Sequence, residues 1–493
     1  MAAGPSWIAL LAFLLGGGGS DLLDYIPPDA YWSQRQVRVS VESMAKELKP
    51  AAAADVSKLI DDLNSPDAPV REQASEKLAA AGAGALSGLR EAAHSPSPQI
   101  AASAKGLIAR IDAANRPASV RRLMAVKTLG ELKNKAAIPI LEPLLNSDEP
   151  FVADYAREAI DKIDGRPVLR RRHANLRQDV WFLPDGCRTI GQVLAPASGP
   201  TSIKDALKSV PVSPGQDRAA FEEELTHMLL QAADAVGNVR LDAISIGISG
   251  EIGPRSGYVV GIARGRFDAR ALADVLHKQQ VPSNAVDGVE VFQPPGGESA
   301  VFFPSDDYAV AIGGPGGRDL PIQQFLDALK RQQTKLKAVA EMKKLIESAP
   351  ADQPVWAVMK VTPTYAGAPV FAGFDTVQLT STRTPKGIDL VFVGTGNDPA
   401  KARAAADMAN AGARQAVEAL RRMQQLIPPF KIIGDAMSTA KCVAKGGDAT
   451  LTAQVTGEGS MLFLLPMIGF SGHAEMQPAP AAVAPNPPPP APR

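Results

Sequence analysis

One spacing of apolar and small residues occurs three times in the N-terminal third of this 493-residue chain and limits what that third can fold into. The copies are Leu59, Ser65, Val70, Ala74 and Leu78; Leu89, Ser95, Ile100, Ala104 and Ile108; and Leu141, Ser147, Val152, Ala156 and Ile160. The last three positions recur every fourth residue, which is typical of the buried stripe of a helix, and the serine falls in a polar turn before that helix. Each copy therefore predicts a helix, a turn and a second helix, and together they predict a stack of helix pairs.

The interval before the third copy is longer than the interval between the first two, and residues 120–135 lie within it. Their sequence, VRRLMAVKTLGELKNK, predicts the second helix of a further unit whose first helix is degraded. The sequence thus predicts an α-solenoid over residues 55–165. Residues 21–54 place prolines and aromatic residues before a short polar helix, and we interpret them as a capping segment, because the end unit of a stack lacks a neighbour.

The repeated spacing resembles the short HEAT-like repeats of bacterial proteins, the class that includes the bilin-lyase-type units. The resemblance covers about residues 55–163. It implies an α-solenoid whose curved face binds a protein partner. It implies no lyase activity, because no chromophore-handling residues can be matched. The alternative interpretation is that the solenoid serves only as a spacer.

Two stretches of the C-terminal two thirds share one order of elements. In each, alternating apolar and polar residues predict a hairpin, an aspartate (Asp268 or Asp398) opens a helix, and further strands follow. We call residues 179–350 unit 1 and residues 351–470 unit 2. Hairpins covered on one face by helices form antiparallel sheets, so we predict a duplicated ββαββ-like α+β domain.

Three short sequences in these units, LPDG, GRFD and PVWAVMKV, resemble the uncharacterised C-terminal region of bacterial HEAT-repeat proteins. This second resemblance spans most of residues 21–470. It implies no known activity and supplies no catalytic residues. The predicted fold class is therefore α plus α+β: a HEAT-like α-solenoid followed by a duplicated antiparallel-sheet domain.

Charge and cysteine content exclude several classes of function. Lysine plus arginine equals aspartate plus glutamate, 52 against 52, so no global field attracts nucleic acid. We interpret the arginine-rich linker, residues 166–178, as a solvated joint, because no aromatic residues are interleaved with its arginines. Cys187 and Cys442 are too few for a disulfide scaffold. They form a candidate disulfide if the protein is exported, and two unrelated buried thiols are the other interpretation.

The two ends of the sequence differ in composition from the rest. Residues 1–20 place a short apolar run before a glycine tract, which is the size of a signal-peptide core, although no lysine or arginine precedes it. We predict export to the periplasm or cell envelope, with a cytoplasmic protein as the alternative, and no transmembrane helix in the mature chain. Residues 461–470 are apolar and too short to span a membrane, and we expect a buried terminal element, since nothing basic flanks them. Residues 471–493 are a proline-rich tail predicted to be disordered.

A search for chemistry finds no catalytic, cofactor-binding or metal-binding motif. In the loop GTGNDP, residues 394–399, proline replaces the third glycine of a dinucleotide-binding loop, so we interpret it as a turn before a capped helix. Asp306 and Asp307 are interpreted as a hairpin turn rather than as paired carboxylates. We therefore predict a non-enzymatic scaffold that binds a protein partner through the solenoid. The alternative is a small-ligand binder or an enzyme with its site in the cleft between the two α+β units.

Overall fold

The computed structural model describes residues 21–48, 56–147, 149, 151–168, 173–195, 217–250, 257–314, 321–331, 335–350, 353–366, 371–384, 387–423 and 430–456. The predictions for the candidate signal peptide, for residues 461–470 and for the proline-rich tail lie outside these residues. So do three arginines of the basic linker, Arg170, Arg171 and Arg172.

The N-terminal region is helical, and every copy of the repeated spacing corresponds to a pair of helices. The helices are α1 (Pro28–Gln34), α2 (Val41–Glu47), α3 (Ser57–Asp62), α4 (Ala68–Ala81), α5 (Leu86–Ala92), α6 (Pro98–Glu131), α7 (Ile138–Leu141) and α8 (Val152–Ile163). The first copy gives α3 and α4, the second gives α5 and α6, and the third gives α7 and α8. In each pair a short first helix precedes a longer second helix.

Helix α6 differs from the prediction for residues 120–135. It continues for 34 residues through Pro117, so residues 120–131 extend the second helix of the second copy instead of belonging to a further unit. At 1.5 Å per residue, a helix of this length spans about 51 Å. Its N-terminal half packs with α3, α4 and α5 in one small core. Its C-terminal half belongs to a second and much larger core.

The predicted capping segment, residues 21–54, does not have its main contacts with the first helix pair. Its side chains Leu22 and Trp32 are fully buried in the same core as α8 and the C-terminal half of α6. The indole Nε1 of Trp32 donates a hydrogen bond to Oγ1 of Thr128 on α6, at 2.8 Å. Burial of a large apolar side chain stabilises the fold in proportion to the apolar area removed from water. A core shared with the sheet buries more of that area than contact with the end of one short helix would.

The described residues after the N-terminal region form one antiparallel sheet of twelve strands together with several helices. The strands are β1 (Cys187–Leu194), β2 (Arg240–Ser249), β3 (Val259–Arg266), β4 (Ser283–Val286), β5 (Val289–Phe292), β6 (Ser299–Ser305), β7 (Tyr308–Gly313), β8 (Val355–Lys360), β9 (Thr376–Thr384), β10 (Gly387–Thr395), β11 (Lys441–Lys445) and β12 (Asp448–Thr456). Their order across the sheet is β11-β12-β10-β9-β8-β1-β2-β3-β7-β6-β5-β4. The α+β class predicted from the sequence is confirmed.

The strand order contains an internal repeat centred on the pair β1 and β8. Outward from the centre, unit 1 reads β1-β2-β3-β7-β6, and unit 2 reads β8-β9-β10-β12-β11. The hairpin of β4 and β5 extends the edge of unit 1. Because β1 and β8 pair antiparallel along residues 189–193 and 355–359, the two units share one sheet.

In the described parts of the chain, seven helices follow or interrupt the strands. They are α9 (Arg218–Val236), α10 (Ala269–Lys278), α11 (Ile322–Arg331), α12 (Ala340–Ser348), α13 (Pro363–Ala366), α14 (Pro399–Met423) and α15 (Phe430–Thr439). Helices α9, α10 and α14 lie on one face of the sheet, together with α8 and the C-terminal half of α6; we call it the helical face. Helices α11 and α12 lie on the opposite face, where α11 shares a core with β3, β6 and β7 and α12 contacts β8.

Two glycines of α6 provide a matched test of its packing. A Cβ atom at Gly130 would lie 2.7 Å from Cα and 2.9 Å from Cβ of Ala159 on α8, whereas one at Gly106 would meet nothing within 4 Å. We expect Gly130→Ala to destabilise the protein by about 1–3 kcal/mol through overpacking. Gly106→Ala should stabilise it by up to about 1 kcal/mol through helix propensity. Urea unfolding of both variants measures the difference, and equal effects would contradict the close approach of α6 and α8.

Candidate functional site

Residues 56–116 form a helical projection that we call the arm. The arm contains α3, α4, α5 and the N-terminal half of α6, and its buried side chains form a separate cluster without any residue of the sheet. Where α6 leaves the arm, Nε of Arg116 lies 2.9 Å from Oδ2 of Asp268 at the start of α10. The arm is thus attached to the body by one continuous helix, by the ion pairs of Arg116 with Asp268 and Asp274, and by Arg270 of α10, which donates a hydrogen bond to the carbonyl of Lys105 at 3.3 Å.

One solvent-exposed face of the arm, which we call the open face, lies on the side of α6 that points away from the core of the arm. Ala104, Leu107 and Ile111 are buried, and a helix of 3.6 residues per turn places Ala102 and Gly106 on the opposite side. Both of these are exposed. Arg110 borders this face and donates a hydrogen bond to the carbonyl of Ser75 on α4, at 3.3 Å. The open face therefore carries small residues, Ala102 and Gly106, with the charged residues Lys105 and Arg110 beside them.

A buried ion pair fixes the N-terminal region to the sheet. Arg240 at the start of β2 donates two hydrogen bonds to Asp21, from Nε at 2.8 Å and from Nη2 at 2.9 Å. Its Nη1 reaches Asp154 on α8 at 2.8 Å. The side chains of Arg240 and Asp21 are 3% and 0% exposed, so solvent does not screen the pair. One guanidinium thus joins three elements that are far apart in sequence.

Lys127 on α6 makes a second connection, between α6 and residues 21–26. Its Nζ donates hydrogen bonds to the backbone carbonyls of Leu23 and Ile26, at 2.6 and 3.0 Å. Lys127 also lines a small recess with Asp24, Tyr155, Glu158, Ala159 and Lys162. Because these charges serve the docking of residues 21–26 onto α6 and α8, we interpret the recess as part of that junction.

A second group of titratable side chains lies where the linker crosses the sheet. Nδ1 of His173 lies 2.6 Å from Oδ2 of Asp242, which also accepts the backbone N–H of His173 at 2.9 Å. The other ring nitrogen, Nε2, lies 3.3 Å from Oδ1 of Asp307. Asp307 also lies 3.7 Å from Arg264, whose guanidinium stacks 4.2 Å from the ring of Tyr308. His173 is therefore held between two carboxylates from different strand ends.

Asp179 continues this group. Its Oδ1 accepts a hydrogen bond from the hydroxyl of Tyr308 at 2.9 Å, while no partner for its buried Oδ2 is found among the described residues. Burial raises the pKa of Asp179 to about 6, and the bond from Tyr308 opposes that rise only in part. The members of this group bind one another, and we interpret it as a latch that ties residues 173–179 to the sheet.

The aspartate pair forms the turn that the sequence indicated, and the described arginines of the basic linker make contacts within the protein. Arg166 forms ion pairs with Asp161 and Asp164 within the linker region. Arg177 donates a hydrogen bond to the carbonyl of Ile346 and stacks over Trp356. Asp306 and Asp307 form the turn between β6 and β7, and Asp306 accepts the N–H of Ala269 at 3.1 Å. The sequence did not predict the contact of Asp307 with His173, because the two residues are distant in the chain.

The candidate disulfide between Cys187 and Cys442 is contradicted. Both are buried free thiols. Cys187 lies on β1 and Cys442 on β11, and the strands β8, β9, β10 and β12 separate them. With about 4.8 Å between strands, the separation is about 24 Å, far beyond the reach of an S–S bond. Their packing in two different clusters agrees with the interpretation as unrelated thiols.

The junction between the two α+β units leaves no cleft along the described residues of β1 and β8. A Cβ atom at Gly191 would lie 2.9 Å from Cβ of Ala357, so the strands approach closely. Val193 and Val355 fill one side, and Trp356 fills the other. The ligand site that the sequence placed between the units therefore has no opening along this ladder.

The GTGNDP loop is a helix start, as predicted. Oδ1 of Asp398 accepts the backbone N–H groups of Ala400 and Lys401, at 2.9 and 3.2 Å, and Pro399 is the first residue of α14. Gly396 allows its loop to contact the backbone of Gly373. These glycines and the aspartate thus pack loops and cap a helix, and a phosphate is not needed to explain them.

The described part of the chain has no group of three histidine, cysteine, aspartate or glutamate side chains that could hold a metal ion. None of the helices described there combines the length and the apolar character required to cross a membrane.

Comparison with known proteins gives neither a family nor a function. No protein-family model matches the sequence, and no curated protein matches it. Among solved structures, crystal form I of TP0453 aligns with 59% of this chain and 97% of its own, with a TM-score of 0.32 and 8% identity. Crystal form III of TP0453 aligns with 58% of this chain and 97% of its own, with a TM-score of 0.33 and 9% identity. Both TM-scores are too low for the alignments to support an argument.

The buried pair of Arg240 and Asp21 can be tested by removing one partner. Arg240→Met leaves the Asp21 carboxylate buried without its guanidinium, and we expect a loss of about 3–5 kcal/mol in the free energy of unfolding. Arg166→Met is the matched control, because its ion pairs are exposed and contribute at most about 1 kcal/mol. Urea unfolding of the two variants measures the contrast. If Arg240→Met lowered the free energy of unfolding by no more than the control, the ion pair would not be responsible for holding residues 21–26 against the sheet.

Asp179 predicts a pH dependence of definite sign. Its folded-state pKa, about 6, is above its ordinary value of 3.8, so the folded protein holds this proton more tightly than the unfolded chain. Stability from this group is therefore complete below about pH 4 and is lost as pH rises through about 6. Asp179→Asn keeps an acceptor for Tyr308 and should make the variant more stable than the parent at pH 7.5, by up to about 3 kcal/mol. Urea unfolding of the parent and the variant at pH 4.5, 6 and 7.5 measures the difference in stability. A difference that does not change with pH would refute this assignment.

Proposed function

We propose that this protein is a non-enzymatic scaffold that binds a protein partner through its arm, and that α3 to α6 are two HEAT-like units. The observation that carries the proposal is the open face of α6 at Ala102 and Gly106. The arm buries its own core and leaves this face uncovered, so the face remains for another molecule.

The chemistry of the face favours a helix as the bound element of the partner. Small residues on a helix surface let a second helix approach to the short end of the usual 8–10 Å range of interaxial distances. Lys105 and Arg110 lie on the two sides of the small residues and are exposed, so acidic side chains of a partner can pair with them. The partner that fits best is therefore an amphipathic helix with acidic edges.

Two further observations support a binding function over catalysis. The titratable group around His173 is engaged internally with Asp242 and Asp307. The ladder of β1 and β8, where a substrate cleft was the alternative, is closed by apolar side chains.

The proposal also includes export to the cell envelope, which rests on the apolar run and glycine tract of residues 1–20.

The experiment compares two tryptophan substitutions in the full-length protein. Gly106→Trp places a large side chain on the open face, where a Cβ meets nothing within 4 Å, so the arm itself should still fold. Ser87→Trp places the same side chain on the exposed surface of α5. We expect Gly106→Trp to reduce partner capture from a cell-envelope extract by at least about tenfold, which corresponds to 1.4 kcal/mol.

Ser87→Trp should retain the same partner at the parental level. Quantitative mass spectrometry of the captured proteins gives both ratios. A partner retained equally by the parent, by Gly106→Trp and by Ser87→Trp would place binding elsewhere on the molecule. Absence of any partner specific to the parent would leave the arm as a spacer and overturn the proposal.

A further inference from the structure

Helix α6 passes through a short segment that belongs to neither core, and we call residues 112–119 the neck. Ile111 is the last residue of α6 in the buried cluster of the arm, and Val120 is its first residue in the cluster of the body. The structure describes every residue of the neck, and none of them is buried. At 1.5 Å per residue the neck is about 12 Å long. Two turns of helix without a buried side chain therefore join the two cores.

Pro117 weakens the backbone of the neck. Proline has no N–H, so the carbonyl of Ala113 loses its helical hydrogen bond, and the proline ring crowds the same carbonyl. Kinks of more than about 20° in helices occur mostly at such prolines. From Pro98 to Pro117 α6 is about 28 Å long, so a change of about 20° would move its first residue by about 10 Å. A modest change of angle in the neck thus displaces the whole arm.

Charged groups hold the arm in one orientation. Nε of Arg116 lies 2.9 Å from Oδ2 of Asp268, and its Nη2 lies 3.5 Å from Oδ2 of Asp274 on α10. Its Nη1 donates a hydrogen bond to the carbonyl of Ala235 in the last turn of α9, at 3.4 Å. The C-terminal end of a helix is partly negative, so this carbonyl favours the guanidinium. A single residue of the neck thus contacts two helices of the body.

Arg270 of α10 adds a contact from the side of the body. It donates a hydrogen bond to the carbonyl of Lys105 on α6, at 3.3 Å. The side chains of Arg116, Asp268 and Asp274 are 13%, 33% and 50% exposed, so water and salt reach these ion pairs. Ion pairs of this kind are screened by salt and each contributes little. We call Arg116 and Arg270 the clasp, because they orient the arm through contacts that can open.

We propose that the neck is a hinge at Pro117 and that the clasp holds it closed. In the closed state the arm lies beside α10, as the contacts of Arg116 and Arg270 require. When the clasp opens, the arm swings about Pro117 while both cores stay intact, because neither core includes a residue of the neck. This inference concerns the orientation of the arm and is independent of what the arm binds.

The experiment measures the distance between two nitroxide labels in the full chain by pulsed electron paramagnetic resonance. Ser87→Cys labels the arm and Met228→Cys labels α9 of the body, and both positions are exposed. The native thiols are buried. The clasp variant carries Arg116→Gln and Arg270→Gln. The hinge variant adds Pro117→Ala, which restores the missing N–H and removes the ring.

We expect the clasp variant to broaden the distribution of distances between positions 87 and 228 by at least about twofold, because more orientations of the arm are populated. Raising the salt concentration from about 0.1 M to about 1 M shortens the Debye length from about 10 Å to about 3 Å, and should broaden the parental distribution as well. The hinge variant should return the width toward the parental value.

Two control pairs report on the cores. Gln73→Cys with Ser87→Cys lies within the arm, and Met228→Cys with Met408→Cys lies within the body; both pairs should keep their distances in every variant. A parental width in the clasp variant would overturn the proposal. So would a broadening that Pro117→Ala does not reduce, since the movement would then not occur at the proline. A change in either control pair would also overturn it, because the clasp would then stabilise a core instead of orienting the arm.

Discussion

The wide antiparallel sheet imposes the main constraint on this protein. Because β1 and β8 pair, the described strands of the two units form one sheet of twelve strands. Successive side chains of each strand point to opposite faces of the sheet, so apolar side chains on both faces have to be buried by other elements. Helices α9, α10 and α14 come from within the units, yet they cover the helical face only in part. The rest of that cover is α8 and the C-terminal half of α6, together with residues 21–48. Burial of the sheet thus determines where much of the N-terminal region packs.

This requirement divides the helix pairs between two environments. The first pair and part of the second remain in the arm, with a core of their own. The third pair joins the body, where Asp154 of α8 reaches Arg240. A buried ion pair is weak as a source of stability but costly to break, so the Arg240 and Asp21 pair selects one docking arrangement over others. The protein therefore combines a body held by buried contacts with an arm that has a core of its own.

Several elements were predictable because their signals are local. Asp268 and Asp398 open helices after apolar strands, and Asp306 and Asp307 sit between two strands as turn residues; all four are found there. Residues 120–131 were assigned wrongly because the spacing of buried residues is the same in a new helix and in the continuation of an old one. The local sequence favoured a new helix, because a proline such as Pro117 usually marks a helix boundary. Only the second core, which α6 enters after that proline, explains why the helix continues.

The sequence by itself determined the helix pairs, the duplicated strand pattern, the α+β class and the absence of a recognisable catalytic motif, because each depends on residues close together in the chain. Tertiary structure alone decided which residues meet across long separations: His173 with Asp242 and Asp307, Arg240 with Asp21, and β1 with β8. Charged residues at the start of an apolar strand, Arg240 and Asp242, were the available hint of buried pairing, but not of its partners. These contacts depend on how the helices and the sheet pack against each other. The spacing of residues along the chain does not contain that information.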